Sequence, residues 1–166
     1  MLTKWEKVGN ELIKFFYKNM LIGEYIHTID EKNRVSMPAK FRTELGKKMI
    51  ITPGLDSCLF VFTIKEWEKV SARLSDQDAD LSFLKADQRS FNRYMFGRAA
   101  EVELDSIGRI LIPEFLKNTI GLKNSAAIVG VKDRVEIWND KVWSQNQEVI
   151  SKKASALAEN LGNEKK

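Results

Sequence analysis

Two Asp-x-x-x-Arg motifs contain the residue types in this chain that are best suited to chemistry. Asp30 with Arg34 forms the first, and Asp105 with Arg109 repeats it 75 residues later. The guanidinium group of an arginine can donate to two acceptors on a phosphate or on the edge of a guanine base. A carboxylate would be repelled by phosphates, so Asp30 is expected to organise the turn or to aim Arg34. In both copies the motif also has a purely structural interpretation, an ion pair that braces the turn.

The residue before each arginine predicts how the turn is built. Asn33 stands there in the first motif and Gly108 in the second, and these two residue types adopt positive φ angles most readily. The aspartate at the start can accept hydrogen bonds from the amides of its own turn. We therefore expect a short hairpin in each copy, with strands at residues 25–29 and 35–37 in the first and a returning strand at residues 110–112 in the second.

Both motifs lie within a longer internal repeat. The segment EYIHTIDEKNRVSMPAKFRTELG at residues 24–46 returns as EVELDSIGRILIPEFLKNTIGL at residues 101–122. Internal repeats are supersecondary units, and each unit usually completes its core against the other. The functional residues are therefore expected within the two duplicated segments.

Further helices and strands are predicted from prolines and glycines at their ends and from the spacing of apolar residues. Pro38 and Pro113 are expected at the first position of a short helix, and Gly46 and Gly121 are expected to end it. Further strands are predicted from apolar runs at residues 49–52, 59–62, 126–131 and 135–138. Further helices are predicted from helical spacing at residues 64–74, 83–96 and 140–161.

Charge is distributed unequally between the two copies. The chain of 166 residues has a formal net charge of +4 and a pI near 9.1, which favours a polyanionic partner. Residues 24–48 contain six basic and four acidic side chains, whereas residues 101–123 contain three basic and four acidic ones. The first copy is thus the better candidate for contact with a polyanion.

Several protein classes are disfavoured by the sequence. Cys58 is the single cysteine and His27 the single histidine, which excludes an internal disulfide and argues against a metal site. No Ser-His-Asp set, Walker loop or Gly-x-Gly-x-x-Gly turn is present, so we expect neither an enzyme nor a cofactor or small-molecule substrate. No apolar run approaches the roughly 20 residues of a membrane span. A cytoplasmic protein without membrane contact is expected.

Residues 1–19 stand outside the repeat. Trp5, Val8 and Leu12 recur at helical spacing among lysines, which predicts an amphipathic helix on a membrane surface or a partner. The other interpretation, of equal weight, is that residues 1–19 are an extension ahead of a second possible start of translation at Met20. We divide the remaining chain into a first repeat at 20–75, a connecting helical segment at 76–98, a second repeat at 99–144, and a C-terminal helix and tail at 145–166.

The longer segments resemble a known family. MLIGEYIHTIDEKNR with PAKFR, GLDSCLFVF, GRAAEVELDSIGR and IVGVKDRVEIW follow one another in the order found in the MraZ family of bacterial transcriptional regulators. This resemblance covers nearly everything from Met20 to about Leu161. It implies an α+β fold of tandem AbrB-like (SpoVT-AbrB-type) repeats, a swapped-hairpin or double-split β-barrel with pseudo-two-fold symmetry and flanking helices.

The resemblance also implies a function. Such a protein would be a sequence-specific regulator that binds repeated boxes in promoter DNA as a ring-shaped homo-oligomer. It would control the cell division and cell wall gene cluster, including its own gene, and would be associated with the nucleoid. Double-stranded promoter DNA and further copies of the chain would be its partners. The main alternative is a protein-interaction or scaffold module with non-specific DNA affinity.

Site residues are assigned on this basis in three groups. Because Lys32 is replaced by Ile107 in the second copy, the first turn is expected to contribute more to DNA affinity. The DNA-binding group is Arg34, Lys32, Asn33 and Arg109; the turn-organising group is Asp30, Asp105 and Gly108; and the auxiliary DNA contacts are His27, Lys40 and Arg42.

Overall fold

The computed structural model describes residues 20–75 and 85–163. The amphipathic segment predicted within residues 1–19 lies outside this range. Each repeat contributes four strands and two helices, and one further helix joins the repeats. The first repeat and the joining helix contain β1 (Leu21–Thr28), β2 (Arg34–Ser36), α1 (Ala39–Leu45), β3 (Lys48–Pro53), β4 (Cys58–Thr63), α2 (Ile64–Ser75) and α3 (Ala86–Met95). The second repeat contains β5 (Ala100–Glu103), β6 (Arg109–Leu111), α4 (Glu114–Thr119), β7 (Ser125–Lys132), β8 (Val135–Asn139) and α5 (Asp140–Asn163).

The strands form two antiparallel sheets, and an internal pseudo-two-fold axis relates the two repeats within each sheet. One sheet has six strands in the order β1-β7-β8-β4-β3-β5, and the other is the two-stranded ribbon β2-β6. Exchanging every strand of one repeat for its counterpart in the other merely reverses the six-strand order. This arrangement confirms the expected α+β fold of two symmetric repeats, although the strands lie in two sheets and do not close into a single barrel.

Strand exchange between the repeats corrects the expectation of a local hairpin. Strand β1 pairs along its whole length with β7 of the other repeat, and β5 pairs with β3 in the same way. Within the first repeat, β1 and β2 are joined by one bridge, between Ile29 and Val35. The chain does reverse at the predicted turn, but its returning strand then pairs with β6 of the other repeat. The periodicity of a sequence cannot show which other strand a given strand will pair with.

The inner core explains why neither repeat is complete alone. The ribbon and the two short helices pack onto one face of the six-stranded sheet. Phe41 of α1 and Leu116 of α4 are fully buried there. Truncation of a buried phenylalanine to alanine typically costs about 3–5 kcal/mol. Both repeats contribute to this core, with Val35, Met37, Ile51 and Leu59 from the first and Ile110, Ile112, Ile128 and Ile137 from the second.

A second apolar cluster lies on the outer face of the sheet. Trp67 of α2 and Trp143 of α5 cover it, and the indole rings of Trp138 and Trp143 are 5.3 Å apart. Cys58 belongs to this cluster, and burial raises the pKa of its thiol to about 12. A protonated, buried thiol is a poor nucleophile. The aromatic residues of this cluster and Cys58 are therefore packing elements.

Helix boundaries agree with the sequence to within a few residues. The prolines precede the short helices directly, so Pro38 and Pro113 occupy the N-cap and not the first helical position. Gly46 and Gly121 follow the helices with φ angles of 75° and 60°. Among the described residues, no helix combines the length and apolar character needed to cross a membrane.

Candidate nucleic-acid interface

The first turn, residues 30–34, is closed by its own backbone and by one carboxylate. Asn33 has a φ angle of 60°, which confirms the predicted left-handed position. Its amide donates to the carbonyl oxygen of Asp30 at 2.9 Å. The Oδ1 atom of Asp30 accepts from the amides of Lys32 and Arg34, each at 2.9 Å. The turn is thus held by hydrogen bonds at both ends.

The second turn, residues 105–109, repeats this geometry. Gly108 has a φ angle of 81°, and its amide donates to the carbonyl oxygen of Asp105 at 3.0 Å. The Oδ1 atom of Asp105 accepts from the amides of Ile107 at 3.1 Å and of Arg109 at 2.9 Å. Two chemically different residues, Asn33 and Gly108, therefore produce the same backbone.

Both arginines are anchored through one edge of the guanidinium group. Nε and Nη2 of Arg34 each lie 2.8 Å from Oδ2 of Asp30, and Nε of Arg109 lies 2.8 Å from Oδ2 of Asp105. Nη1 of Arg109 also lies 3.4 Å from Oδ2 of Asp30, which links the two turns. The side chains of Arg34 and Arg109 are 32% and 24% exposed. Among the described residues, the side-chain contacts of Arg34 are made through Nε and Nη2, and none is made through Nη1.

Electrostatics keep both aspartates ionised. The hydrogen bond from the amide of Arg34 is the main cause that lowers the pKa of Asp30 below its ordinary value, and the guanidinium of Arg34 contributes as well. The amide and guanidinium of Arg109 lower the pKa of Asp105 in the same way. Two carboxylates and two guanidinium groups leave this four-residue cluster formally neutral. Net attraction for a polyanion must therefore come from basic residues around it.

Each turn is braced by the short helix of the opposite repeat. Lys117 of α4 donates from Nζ to Oδ1 of Asn33 at 2.6 Å. Arg42 of α1, its counterpart 75 residues earlier, donates from Nε to the carbonyl oxygen of Met37 at 2.7 Å. A Cβ atom placed on Gly108 would come closer than 3.0 Å to Cζ, Nε and Nη1 of Arg42, so this guanidinium lies directly over the second turn.

Backbone hydrogen bonds complete the two braces symmetrically. The amide of Met37 donates to the carbonyl oxygen of Gly108, and the amide of Ile112 donates to that of Asn33, both at 2.9 Å. Lys117 was not among the predicted site residues, although its position, equivalent to Arg42 in the repeat, was a usable signal. Arg42 itself has a structural contact here, and its predicted contact with DNA stays a prediction.

The other residues of the first repeat that were predicted to contact DNA are Lys32, Lys40 and His27. Lys32 is exposed at the tip of the 30–34 turn, and Lys40 is exposed in the first turn of α1. His27 is half-buried on β1, three residues before Asp30, with its ring 6.4 Å from that of Tyr25. Lys32 therefore brings positive charge to the tip of the first turn, and the contacts of Lys32, Lys40 and His27 with DNA all stay predictions.

The part of the chain that the structure describes contains no group of three or more His, Cys, Asp or Glu residues arranged to hold a metal ion. The two turns themselves present charged and hydrogen-bonding groups. Amide, guanidinium and ammonium groups are donors, and phosphate and base-edge oxygens are the matching acceptors.

Comparison with known proteins identifies the relatives of this chain. The family model described as "MraZ protein, putative antitoxin-like" matches it twice, at residues 20–94 and 95–162. The "Transcriptional regulator MraZ" of Caldanaerobacter subterraneus subsp. tengcongensis is 42% identical over 144 residues, which cover 87% of this chain and 98% of the relative. The proteins of the same name from Moorella thermoacetica (44% identity, 86% of this chain and 96% of the relative) and Carboxydothermus hydrogenoformans (47%, 75% and 85%) are also similar. The chain therefore belongs to the MraZ family.

Proposed function

We propose that this protein is a transcriptional regulator that binds double-stranded promoter DNA through the first turn. The observation that supports this most directly is the anchored guanidinium of Arg34, which is held through Nε and Nη2 on a rigid turn with Lys32 at its tip. Its relatives are named as transcriptional regulators, which agrees with this role. The turn supplies both a positioned donor and a positive charge, and these are what a DNA contact requires.

The mechanism depends on how Asp30 holds Arg34. The carboxylate takes the side-on edge of the guanidinium through Nε and Nη2, so the end-on pair of N–H groups remains for two acceptors. O6 and N7 of a guanine, or two oxygens of one phosphate, fit such a pair. Because the side chain is already ordered, less conformational entropy is lost when DNA binds. Asn33 sets the backbone of the turn, and Arg109 supports it through Asp30.

Affinity arises from several subunits acting together. One small turn gives modest binding, whereas a ring-shaped homo-oligomer offers several turns to regularly spaced boxes in a promoter. Linked modules can raise apparent affinity by about 10² to 10⁴ without new contacts. We assign the regulator to the nucleoid in the cytoplasm, with the promoter of the cell division and cell wall cluster that contains its own gene as its target.

Fluorescence anisotropy tests this proposal. Wild-type protein and Arg34→Ala are titrated against DNA from upstream of the gene and against a scrambled duplex, at two salt concentrations. Arg73→Ala is the matched control, because it removes the same charge from an exposed site on α2. Selective binding that weakens steeply with salt and is lost in Arg34→Ala alone would support the proposal. Equal, weak binding of both duplexes by the wild type would favour the scaffold alternative instead.

A further inference from the structure

The outer face of the β2-β6 ribbon carries two cross-strand pairs of different chemistry. Val35 and Ile110 pair at the centre of the ribbon, and both are fully buried, so their side chains point towards the core. Successive side chains of a strand alternate between its two faces, so the residues on either side of this central pair point away from the core. The two outer pairs are Arg34 with Leu111 and Ser36 with Arg109.

Ion pairs show that this outer face is one continuous surface. Nε and Nη2 of Arg34 each lie 2.8 Å from Oδ2 of Asp30, and Nη1 of Arg109 lies 3.4 Å from the same oxygen. The two guanidinium groups therefore converge on one carboxylate, although they belong to different repeats. The major groove of DNA admits a two-stranded β-ribbon. A base edge that meets Arg34 in the groove therefore lies next to the other outer side chains of the ribbon.

The pseudo-two-fold axis shows where the two halves of this surface differ. It exchanges Arg34 with Arg109, which are identical, and Leu111 with Ser36, which are not. Leu111 is 54% exposed, whereas Ser36 is half-buried. A single exposed leucine would need no explanation by its exposure alone. Here it is the apolar neighbour of one arginine, while the other arginine has a hydroxyl in the equivalent place.

The spacing of the Arg34–Leu111 pair matches one step of a DNA duplex. Residues directly opposite each other in an antiparallel pair have Cβ atoms about 4.5–5.5 Å apart. Successive bases of one strand are about 3.4 Å apart along the helix axis. A leucine beside an arginine that donates to guanine therefore reaches the adjoining base pair. Thymine presents a methyl group there, which apolar side chains recognise, whereas a serine hydroxyl can bond to any of the bases.

We infer that Leu111 is a specificity-determining residue, which favours a thymine next to the guanine that Arg34 contacts. Ser36 gives no such preference beside Arg109. Two equivalent arginines alone would fit a DNA step in either direction, so the difference between Leu111 and Ser36 determines the direction in which the ribbon lies on its box. This inference rests on the DNA contact of the proposed function and adds a base and an orientation to it.

Replacement of thymine by deoxyuridine tests the inference, because it removes only the methyl group. The duplex from upstream of the gene is prepared with each of the two bases and titrated by fluorescence anisotropy. Wild-type protein should bind the deoxyuridine duplex at least about fourfold more weakly, the value expected for one buried methyl. Leu111→Ser, which copies the residue at the equivalent position, should bind both duplexes alike. The reciprocal variant Ser36→Leu should enlarge the loss, because it adds a second methyl contact.

The outcomes separate this inference from the proposed function. Equal losses in wild type and Leu111→Ser would overturn the inference, since the methyl group would then act through the deformability of the DNA. Equal binding of both duplexes by the wild type, or a Ser36→Leu variant no more sensitive than the wild type, would also overturn it and leave the Arg34 contact intact. Failure of the wild type to distinguish the upstream duplex from a scrambled one would overturn the proposed function as well. Circular dichroism checks that each variant is folded.

Discussion

Asp30 contributes to the site as an organiser, and its charge determines how the site responds to pH. The carboxylate accepts hydrogen bonds from two backbone amides and from the guanidinium of Arg34, and it also lies near Arg109. All of these interactions favour its ionised form. The same arrangement around Asp105 means that the two turns should respond to acid together.

Acid should weaken the turns only below the ordinary pKa of an aspartate. Because the pKa values of Asp30 and Asp105 are lowered in the folded protein, their contribution to stability is fully present above the unfolded value and is lost as the pH falls through the folded value. We expect thermal stability attributable to the turns to be constant from pH 5 to 8 and to fall below about pH 4. Melting curves of wild type and Asp30→Asn/Asp105→Asn across this range measure it. A fall that is equally steep in the double variant would place the effect elsewhere in the protein.

At the scale of the element, each turn and the opposite helix form one unit. Arg42 fits over the second turn because residue 108 is glycine, whereas the first turn has Asn33 and is met by Lys117. The two pairs are thus alternative solutions to one packing problem, Gly with Arg and Asn with Lys. Comparison of the two repeats therefore indicates that an asparagine in the turn is compatible with a lysine on the opposite helix.

Gly108→Asn should therefore be destabilising, and Arg42→Lys should rescue it. Asparagine tolerates the positive φ angle at this position, but its Cβ would collide with the guanidinium of Arg42. We expect a loss of about 1–3 kcal/mol in the free energy of unfolding, which is typical of overpacking. The double variant Gly108→Asn/Arg42→Lys copies the pair of the first turn and should recover most of this loss. Urea unfolding of both variants and of Arg42→Lys alone tests the prediction, and equal losses in the single and double variants would contradict it.

Local elements could be predicted from the sequence, and partner strands could not. Asn33 and Gly108 indicated the left-handed turn positions because few residue types adopt that backbone, and Gly46 and Gly121 indicated helix ends for the same reason. The exchange of β1 onto β7 depends on which core fills best, and this is a property of the whole chain. Lys117 was missed because its contact with Asn33 spans 84 residues. The assignment of Arg34 to DNA came from motif and resemblance and stays a prediction.

At the scale of the whole molecule, strand exchange makes the two repeats interdependent. The edge strand β1 of the first repeat is held by β7, and the edge strand β5 of the second is held by β3. Ribbon β2-β6 takes one strand from each repeat, and it carries both turns. A separated first repeat would therefore lose the only ladder partner of β1 and of β2, and one of the two partners of β3 and of β4.

The described fold should consequently unfold as one cooperative unit. Each repeat fills the core of the other, so no intermediate can keep one repeat folded while the other is lost. Calorimetry of the full chain should give a single transition whose van't Hoff and calorimetric enthalpies agree per cooperative unit. A fragment of residues 20–94 should be unfolded as a monomer, and it should fold only by pairing with a second copy or with residues 95–163. Two separate transitions in the full chain, or a folded monomeric fragment, would show that each repeat is a domain in its own right.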